Sequence, residues 1–307
     1  MISAIIREMR PKQWTKNLLL FAGVIFAQKL HEPHRVLDAL FAFIIFCGLS
    51  SAVYIINDIR DAQSDREHPL KSKRPIASGE LPVPIAAAIA AGLIIVGIIW
   101  AFFIHWRPGA PLAESLNWWF AIFAIIYLVL MTAYSLGLKH VVILDLMIVA
   151  IGFVLRAMAG VHAIENPGEM IRITPWFITC VLFLALFIVI CKRRHELLLL
   201  SHAARQHRPV LEHYTPAFLD QMVSVATAAT VLSYALYVTL GVTQTPRNTQ
   251  MVYTIPFVLY GIFRYLFLVY KREEGGAPEI LLLQDGWLLA NVVLWLVTVL
   301  AILYLPG

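Results

Sequence analysis

Residues 57–75 read NDIRDAQSDREHPLKSKRP and stand at the end of an apolar run. Asn57, Asp61 and Asp65 are spaced by four residues, and Asp58 comes three residues before Asp61. On a helix all four side chains fall near one face, where the acids repel each other unless a cation neutralises them. Hard oxygen ligands of this kind suit Mg²⁺, which binds a few carboxylates together with substrate phosphates. The stretch therefore predicts a magnesium site at a helix end.

A basic segment follows these acids and supplies the phosphate side of the same site. Lys71, Lys73 and Arg74 carry the positive charges, and charge-assisted hydrogen bonds from such groups hold phosphate oxygens. The alternative is a solvated polar loop whose charges cap two helices and add to the basic residues of a cytoplasmic loop. Evenly spaced aspartates at the end of an apolar run favour the binding site.

The composition predicts an all-α, polytopic membrane protein. Of the 307 residues, 60% are hydrophobic and only 14% are charged, and the mean hydropathy is +0.76, values that exclude a soluble domain with one core. Apolar runs long enough to cross about 30 Å of hydrocarbon recur along the chain. They predict about nine transmembrane helices in a single integral-membrane domain, residues 1–307. The predicted spans are 16–30, 36–57, 84–105, 117–136, 141–162, 175–193, 217–241, 251–270 and 287–305.

The basic residues predict the orientation of these spans. Most of the 24 Lys and Arg residues lie on one side if the chain crosses the membrane nine times, and that side is the cytoplasm by the positive-inside rule. The N-terminus is then cytoplasmic and the C-terminus lies outside the cell membrane. The net charge of +5 reflects this topology and anionic lipid rather than nucleic acid, so no nucleic-acid partner is expected.

A second set of candidate residues begins at Asp145, which follows a short turn on the same predicted side as Asp58. Arg156 lies eleven residues further on the same helical face, and an arginine at that depth is a functional candidate by default. The alternatives for Arg156 are extension to the outer surface or pairing with an acid in the bundle. The sixth span ends at Lys192, Arg193 and Arg194, of which at least one binds phosphate unless all three only anchor the span at the membrane surface.

The motif NDxxDxxxD at 57–65 resembles the first motif of the UbiA-type intramembrane prenyltransferase superfamily. Within that superfamily the chain is similar over its whole length to the polyprenyl-phosphate phosphoribosyltransferases of the decaprenyl-phosphate type. The motifs that carry this likeness are RPKQWTKN at 10–17, HPxKxxRPIASG at 68–79, YS at 134–135, LK at 138–139, LD at 144–145, GFVxR at 152–156 and KRRxE at 192–196.

One departure from the superfamily pattern is informative. Most members carry a second DxxxD motif, whereas Val149 stands four residues after Asp145. A single carboxylate is therefore left for the second motif, which puts ordinary aromatic prenyl transfer in doubt. The loss agrees with the phosphoribosyl branch, where the diphosphate belongs to the sugar donor.

The resemblance implies a Mg²⁺-dependent enzyme of cell-wall precursor synthesis that moves phosphoribose from 5-phosphoribosyl 1-diphosphate to a polyprenyl phosphate and releases diphosphate. It also implies a homo-oligomer, a trimer. The residues it assigns to catalysis are Asp58, Asp61, Asp65 and Asp145, and these with Asn57 form the metal ligands. The residues it assigns to substrate binding are Lys16, Asn17, Asn57, His68, Lys71, Arg74, Tyr134, Lys139, Arg156, Lys192 and Arg193.

Two other functions are compatible with parts of the sequence. A prenyltransferase that moves a prenyl group from its diphosphate to an aromatic or lipid acceptor would use the same aspartates. A transporter would use intramembrane charges as a substrate path. Against the transporter, the acids crowd one end of a span rather than the middle of the bilayer.

Overall fold

The computed structural model describes residues 1–67, 71–106, 111, 115–166, 168–199, 209–241, 248–272, 276 and 278–305, and within these ranges all regular elements are helices. The chain forms two compact units. The first comprises 1–148 with 155–171, and the second comprises 149–154 with 172–307.

The first unit contains six α-helices, of which the sixth also supplies residues to the second unit, and three short 3₁₀ segments. The α-helices are α1 (Ile2–Met9), α2 (Phe21–Phe26), α3 (Pro33–Glu67), α4 (Val83–Phe102), α5 (Trp118–Leu136) and α6 (Leu144–Ala163). The 3₁₀ segments are Pro11–Leu20, Lys71–Lys73 and Leu138–His140.

The second unit contains five further α-helices, two 3₁₀ segments and one π turn among its described residues. Its α-helices are α7 (Pro175–Leu199), α8 (Pro216–Leu236), α9 (Ile255–Lys271), α10 (Pro278–Gln284) and α11 (Gly286–Tyr304). The π turn Tyr237–Gly241 follows α8, and the 3₁₀ segments are Pro209–His213 and Asn248–Thr254.

Eight helices of the described chain are long and apolar enough to cross a membrane. They correspond to the second through ninth predicted spans, so the prediction of an all-α membrane protein is confirmed and the number nine is approximate. The eight helical segments are Pro33–Glu67, Val83–Phe102, Trp118–Leu136, Leu144–Ala163, Pro175–Leu198, Pro216–Leu240, Thr249–Lys271 and Gly286–Tyr304.

The first predicted span, 16–30, is the exception because it is not one continuous α-helix. The ten-residue 3₁₀ segment Pro11–Leu20 leads into the six-residue helix α2. At about 2.0 Å per residue the first part is about 20 Å long and at 1.5 Å per residue the second is about 9 Å long, so neither element alone crosses about 30 Å of hydrocarbon. Irregular backbone at membrane depth is tolerated where protein covers it.

A contact between two glycines joins this segment to α6. A Cβ atom on Gly23 would lie 2.6 Å from the carbonyl oxygen of Gly160 in α6, and a Cβ on Gly160 would collide with the carbonyl of Leu20. Only residues without a side chain allow the backbones to approach so closely. The pair therefore packs the irregular first span directly against α6.

Helix α3 is the central element of the first unit. Its 35 residues span about 50 Å, more than the hydrocarbon thickness, so that its last turns extend beyond the apolar part of the helix. Buried Ala52 and Ile55 of α3 pack with Ala4 of α1, Ile76 and Leu81 in one hydrophobic cluster. This packing holds α1 and the segment after α3 around the acidic end of the helix.

Candidate functional site

The acidic face predicted from the sequence lies on the last three turns of α3, which continues to Glu67. Asp58 and Asp65 are buried, with 2% and 3% of their surface exposed, while Asn57 and Asp61 are half-buried. Burying an ionised carboxylate is costly unless a cation or hydrogen bonds compensate for the lost water. The partners of these acids therefore indicate what the site is built to hold.

Arginines from two different segments neutralise the buried acids. The guanidinium of Arg10 forms an ion pair with Asp58. Nη1 of Arg74 lies 3.0 Å from Oδ1 of Asp58 and 2.6 Å from Oδ2 of Asp65, so that it bridges the two carboxylates. Nζ of Lys71 lies 3.9 Å from Oδ1 of Asp65. The structure thus brings the predicted basic segment onto the acidic face.

The third acid is paired by a lysine that comes from much later in the chain. Nζ of Lys139, in the 3₁₀ turn after α5, lies 2.7 Å and 2.6 Å from the two carboxylate oxygens of Asp61. The same ammonium donates to Oδ1 of Asn57 at 3.2 Å. Lys139 therefore joins the site that the sequence predicted around 57–75.

Glu8 is a member of this site that the sequence analysis missed. It is 1% exposed, and both carboxyl oxygens are buried without a hydrogen-bond partner among the described residues. Burial, followed by the effect of the neighbouring Asp58 carboxyl, raises the pKa of Glu8 to about 8. The available signal was helical spacing, because Ala4 and Glu8 share the buried face of α1.

Arg156 and Asn17, both predicted to bind substrate, meet inside the first unit. Nε of Arg156 donates to Oδ1 of Asn17 at 2.8 Å, and Nη2 donates to the hydroxyl of Tyr127 at 2.7 Å. The guanidinium also lies 4.6 Å from the centre of the Tyr127 ring, a cation–π contact. Asn17 in turn donates to Ser50 at 3.2 Å. Arg156 is 4% exposed and lies in the interior of the unit. The alternative that its side chain extends to the outer surface is therefore wrong.

The remaining predicted residues divide among several places. Asp145 is fully buried in the first turn of α6, two residues after Ile143, whose φ of 69° is unusual for a β-branched residue. Lys16 and Tyr134 are half-buried in the first unit. His68 lies outside the described residues.

Two further predicted residues belong to the second unit. Lys192 is half-buried in α7, next to Arg193. Arg193 is 4% exposed, and its Nη1 lies 2.6 Å from Oε2 of Glu196, one turn further along the same helix. This ion pair places the Arg193 charge inside its own unit.

The oxygen ligands of the acidic face fit Mg²⁺, although in this structure the carboxylates form ion pairs with Arg and Lys side chains. Among the described residues, no three Asp, Glu, His or Cys side chains are grouped so that they could hold a metal ion together. Carboxylate and amide oxygens are nevertheless the ligands that Mg²⁺ takes, and the acidic face of α3 supplies both kinds. Metal binding would require Arg10, Arg74 and Lys139 to leave the carboxylates, which frees them for phosphate.

Comparison with known proteins agrees with this chemistry. The model of the UbiA prenyltransferase family matches residues 18–283. The chain belongs to the UbiA prenyltransferase family. This confirms the resemblance seen in the sequence, and the protein is accordingly an integral-membrane enzyme, a transferase.

Relatives within the family carry a more specific name. The decaprenyl-phosphate phosphoribosyltransferase of Corynebacterium glutamicum is 34% identical to this chain, over 98% of this chain and 87% of the relative. The enzyme of the same name from Mycolicibacterium smegmatis is 31% identical, over 99% and 93%. A UbiA homologue from Archaeoglobus fulgidus bound to GPP and Mg²⁺ superposes with a TM-score of 0.70 at 19% identity, covering 98% of this chain and 99% of that one, which shows the shared fold.

Proposed function

We propose that this enzyme transfers phosphoribose from 5-phosphoribosyl 1-diphosphate to a long-chain polyprenyl phosphate of the decaprenyl type and releases diphosphate. One observation carries the proposal. Asp58, Asp61 and Asp65 are each neutralised by basic side chains that come from outside α3. Such a set of matched charges provides both the acids that hold a metal and the cations that hold a donor with several phosphates. The relatives named decaprenyl-phosphate phosphoribosyltransferase support the same donor and acceptor.

Asn57, Asp58, Asp61, Asp65 and Asp145 would hold Mg²⁺. When bound, the metal supplies a Lewis acid that neutralises charge on the departing diphosphate. On donor binding, Lys139 moves from Asp61 to a phosphate oxygen, and Arg74 moves in the same way from Asp58 and Asp65. Lys16, His68, Lys71, Tyr134, Lys192 and Arg193 complete the proposed set of residues that bind and orient the substrates.

The transfer step itself needs no strong base. An oxygen of the acceptor phosphate, already anionic near neutral pH, forms the bond to the anomeric carbon while the bond from that carbon to the diphosphate oxygen breaks. Charge therefore moves from the acceptor to the diphosphate, and no proton has to be removed. Arg156, fixed by Asn17 and Tyr127, is the proposed contact of the lipid phosphate inside the membrane.

The proposal also assigns a side of the membrane. We propose that the donor binds at the cytoplasmic face, with the N-terminus inside and the C-terminus outside, since this arrangement puts most basic residues inside. We also propose that residues 1–307 act as one domain, because the family match extends over parts of both units. A trimer is the proposed assembly.

The experiment that tests the reaction uses purified protein in detergent, Mg²⁺, radiolabelled 5-phosphoribosyl 1-diphosphate and decaprenyl phosphate. We expect the label to move into the organic phase, with Mg²⁺ and the acceptor both required, and an Asp61→Asn protein measured in parallel as the inactive control. A parallel reaction contains a prenyl diphosphate and an aromatic acceptor instead. Consumption of the prenyl diphosphate without phosphoribosyl transfer would identify the prenyltransferase alternative.

A further inference from the structure

Helix α1 has an apolar side that points away from the protein. Ala4 and Glu8, one turn apart, are buried against the rest of the first unit. Ile2 and Ile6, also one turn apart, lie on the opposite side of the helix, and 75% and 51% of their surfaces are exposed. A helix on the surface of a soluble protein turns polar residues outward. The outer side of α1 is instead suited to an apolar surrounding.

A third side of α1 is polar. Ser3 and Arg7 are exposed, lie one turn apart, and stand between the buried side and the outer apolar side. The Arg7 guanidinium forms an ion pair with Glu80, and the two side chains are 52% and 44% exposed. The exposed surface of α1 is thus divided lengthwise into an apolar half and a polar half. This division is typical of a helix that lies in the plane of a membrane interface.

The buried side of α1 fixes the height of the helix relative to the bilayer. Ala4 packs in one cluster with residues of both α3 and α4, namely Ala52, Ile55, Ala86 and Ala90. Residues 39–56 of α3 contain no charged side chain and extend over about 27 Å, so the α3 members of the cluster lie in the last turn and a half of this uncharged length. The α4 members lie in its first turns. Helix α1 therefore packs at the edge of the hydrocarbon layer.

The chain connection keeps α1 at this edge. Only Arg10 separates the helix from the 3₁₀ segment Pro11–Leu20, which leads into the first span. The Arg10 guanidinium is paired with Asp58, at the acidic end of α3. The helix is thus joined to the membrane-spanning part on one side and to the acidic site on the other.

We propose that α1 lies in the interface of the leaflet next to the acidic site, with Ile2 and Ile6 among the lipid acyl chains and Ser3 and Arg7 in water. The bilayer, rather than another protein, then covers the apolar side. The height of the helix and the separation of its apolar half from its polar half both select this occupant. Contact with lipid holds α1, and with it the ion pair of Arg10, at a fixed depth in the membrane.

Fluorescence quenching of the full-length protein in lipid nanodiscs measures this depth. The dye NBD is attached to the cysteine of Ile6→Cys or, as the matched control on the polar side of the same helix, of Ser3→Cys. The nanodiscs contain phosphatidylcholine with a nitroxide quencher near the start of one acyl chain, and iodide quenches from water. We expect the nitroxide to quench the dye at position 6 about threefold more strongly than at position 3, and iodide to show the reverse order.

A second pair of variants tests whether the apolar side holds the helix in the lipid. In the protein labelled at position 6, Ile2→Asn removes the neighbouring apolar side chain and should lower quenching by the nitroxide about twofold while it raises quenching by iodide. Ser3→Asn exchanges one polar residue for another and should change neither. Protein without an introduced cysteine, treated with the dye in parallel, gives the signal from the native residues Cys47, Cys180 and Cys191.

Two results would overturn the proposal. In the first, the nitroxide quenches the dye equally at positions 3 and 6, which would place the outer side of α1 in water. In the second, neither quencher reaches position 6, which would show that protein, such as a second copy of the chain, covers this side. The measurement records depth in the bilayer and not turnover, so its failure leaves the proposed phosphoribosyl transfer untouched.

Discussion

The two ends of α3 both bury charged side chains, but they give them different partners. Near the beginning of the helix, Arg35 is 3% exposed, and its Nη1 donates to the carbonyl oxygen of Ile164 at 2.9 Å. Nε2 of His105 lies 2.9 Å from the carbonyl oxygen of Ala163, at the end of α6. Asn117 donates to the carbonyl of His162 at 2.6 Å. These three side chains satisfy the last carbonyls of a helix, which otherwise have no partner.

Near the end of α3 the partners of the acids are side chains. Asp58, Asp61 and Asp65 contact the charged ends of Arg10, Arg74 and Lys139. A long basic side chain can move from a carboxylate to a phosphate while the backbone stays in place. A side chain that holds a helix end cannot be replaced in this way without loss of local structure. We therefore propose that the acidic end of α3 exchanges ligands and that the side chains near its beginning serve stability.

The largest expected effect is at the acidic end. Asp61→Asn removes one negative charge that Lys139 now neutralises, and it should reduce phosphoribosyl transfer on the order of 100-fold at saturating Mg²⁺. Its unfolding midpoint in detergent should stay within about two degrees of the unaltered protein, because Asp61 is only half-buried. Transfer near the unaltered rate would contradict the role of this end in catalysis.

The second prediction concerns the beginning of α3, where we expect stability to fall while the rate of transfer stays unchanged. Arg35→Met keeps much of the side-chain length but removes the arginine that pairs with Glu32 and Glu169 and donates to the Ile164 carbonyl; Lys29 remains as the other partner of the two glutamates. We expect a loss of about 2 kcal/mol in the free energy of unfolding, measured by denaturant titration in mild detergent. Turnover per folded molecule should be unchanged. A variant as stable as the unaltered protein, yet inactive, would remove the distinction between the two ends.

The third prediction concerns Arg156, which is buried like Arg35 but has a proposed role in substrate binding like Asp61. Arg156→Leu should raise the apparent KM for decaprenyl phosphate about tenfold more than the KM for 5-phosphoribosyl 1-diphosphate, because the proposed contact is with the lipid phosphate. Tyr127→Phe removes only the hydroxyl that supports the guanidinium and serves as the control for packing. An unchanged KM for the lipid would reject this role and leave Arg156 as a structural residue.

The smallest effect is expected at Glu8. With a pKa of about 8, Glu8 is largely protonated at pH 7, and Glu8→Gln has nearly the same shape and charge. Transfer at pH 7 should therefore stay within about twofold, in contrast to Asp58→Asn, which removes a paired negative charge in contact with Glu8. A tenfold loss in Glu8→Gln would show that this carboxyl works in its ionised form.

Much of the fold follows from the lengths of the apolar runs. Eight predicted spans coincide with helices since burial of apolar length in a bilayer is a local property of the sequence. The first predicted span differs because part of it is a 3₁₀ segment and because it packs against α6 through a tertiary contact. That contact is the approach of Gly23 to Gly160, residues far apart in the chain.

The acids of the site followed from the sequence, and so did the nearby cations Lys71 and Arg74, but the pairing of the more distant residues did not. Helical spacing placed Asp58, Asp61 and Asp65 together, whereas the pairing of Lys139 with Asp61 joins residues that are 78 positions apart. No local pattern gives a contact of that range. Glu8 was missed for a related reason, since its burial depends on how α1 packs against α3.

The Gly23–Gly160 contact makes the spacing of the residues around it important. It fixes one point of the first span against one point of α6, so the meeting of Asn17 with Arg156 depends on the number of residues between each of them and its glycine. Deleting one residue between 17 and 23, or between 156 and 160, would keep Asn17, Arg156 and both glycines and still separate the pair. Where the first span packs against α6, the number of residues from each glycine matters as much as the residue type.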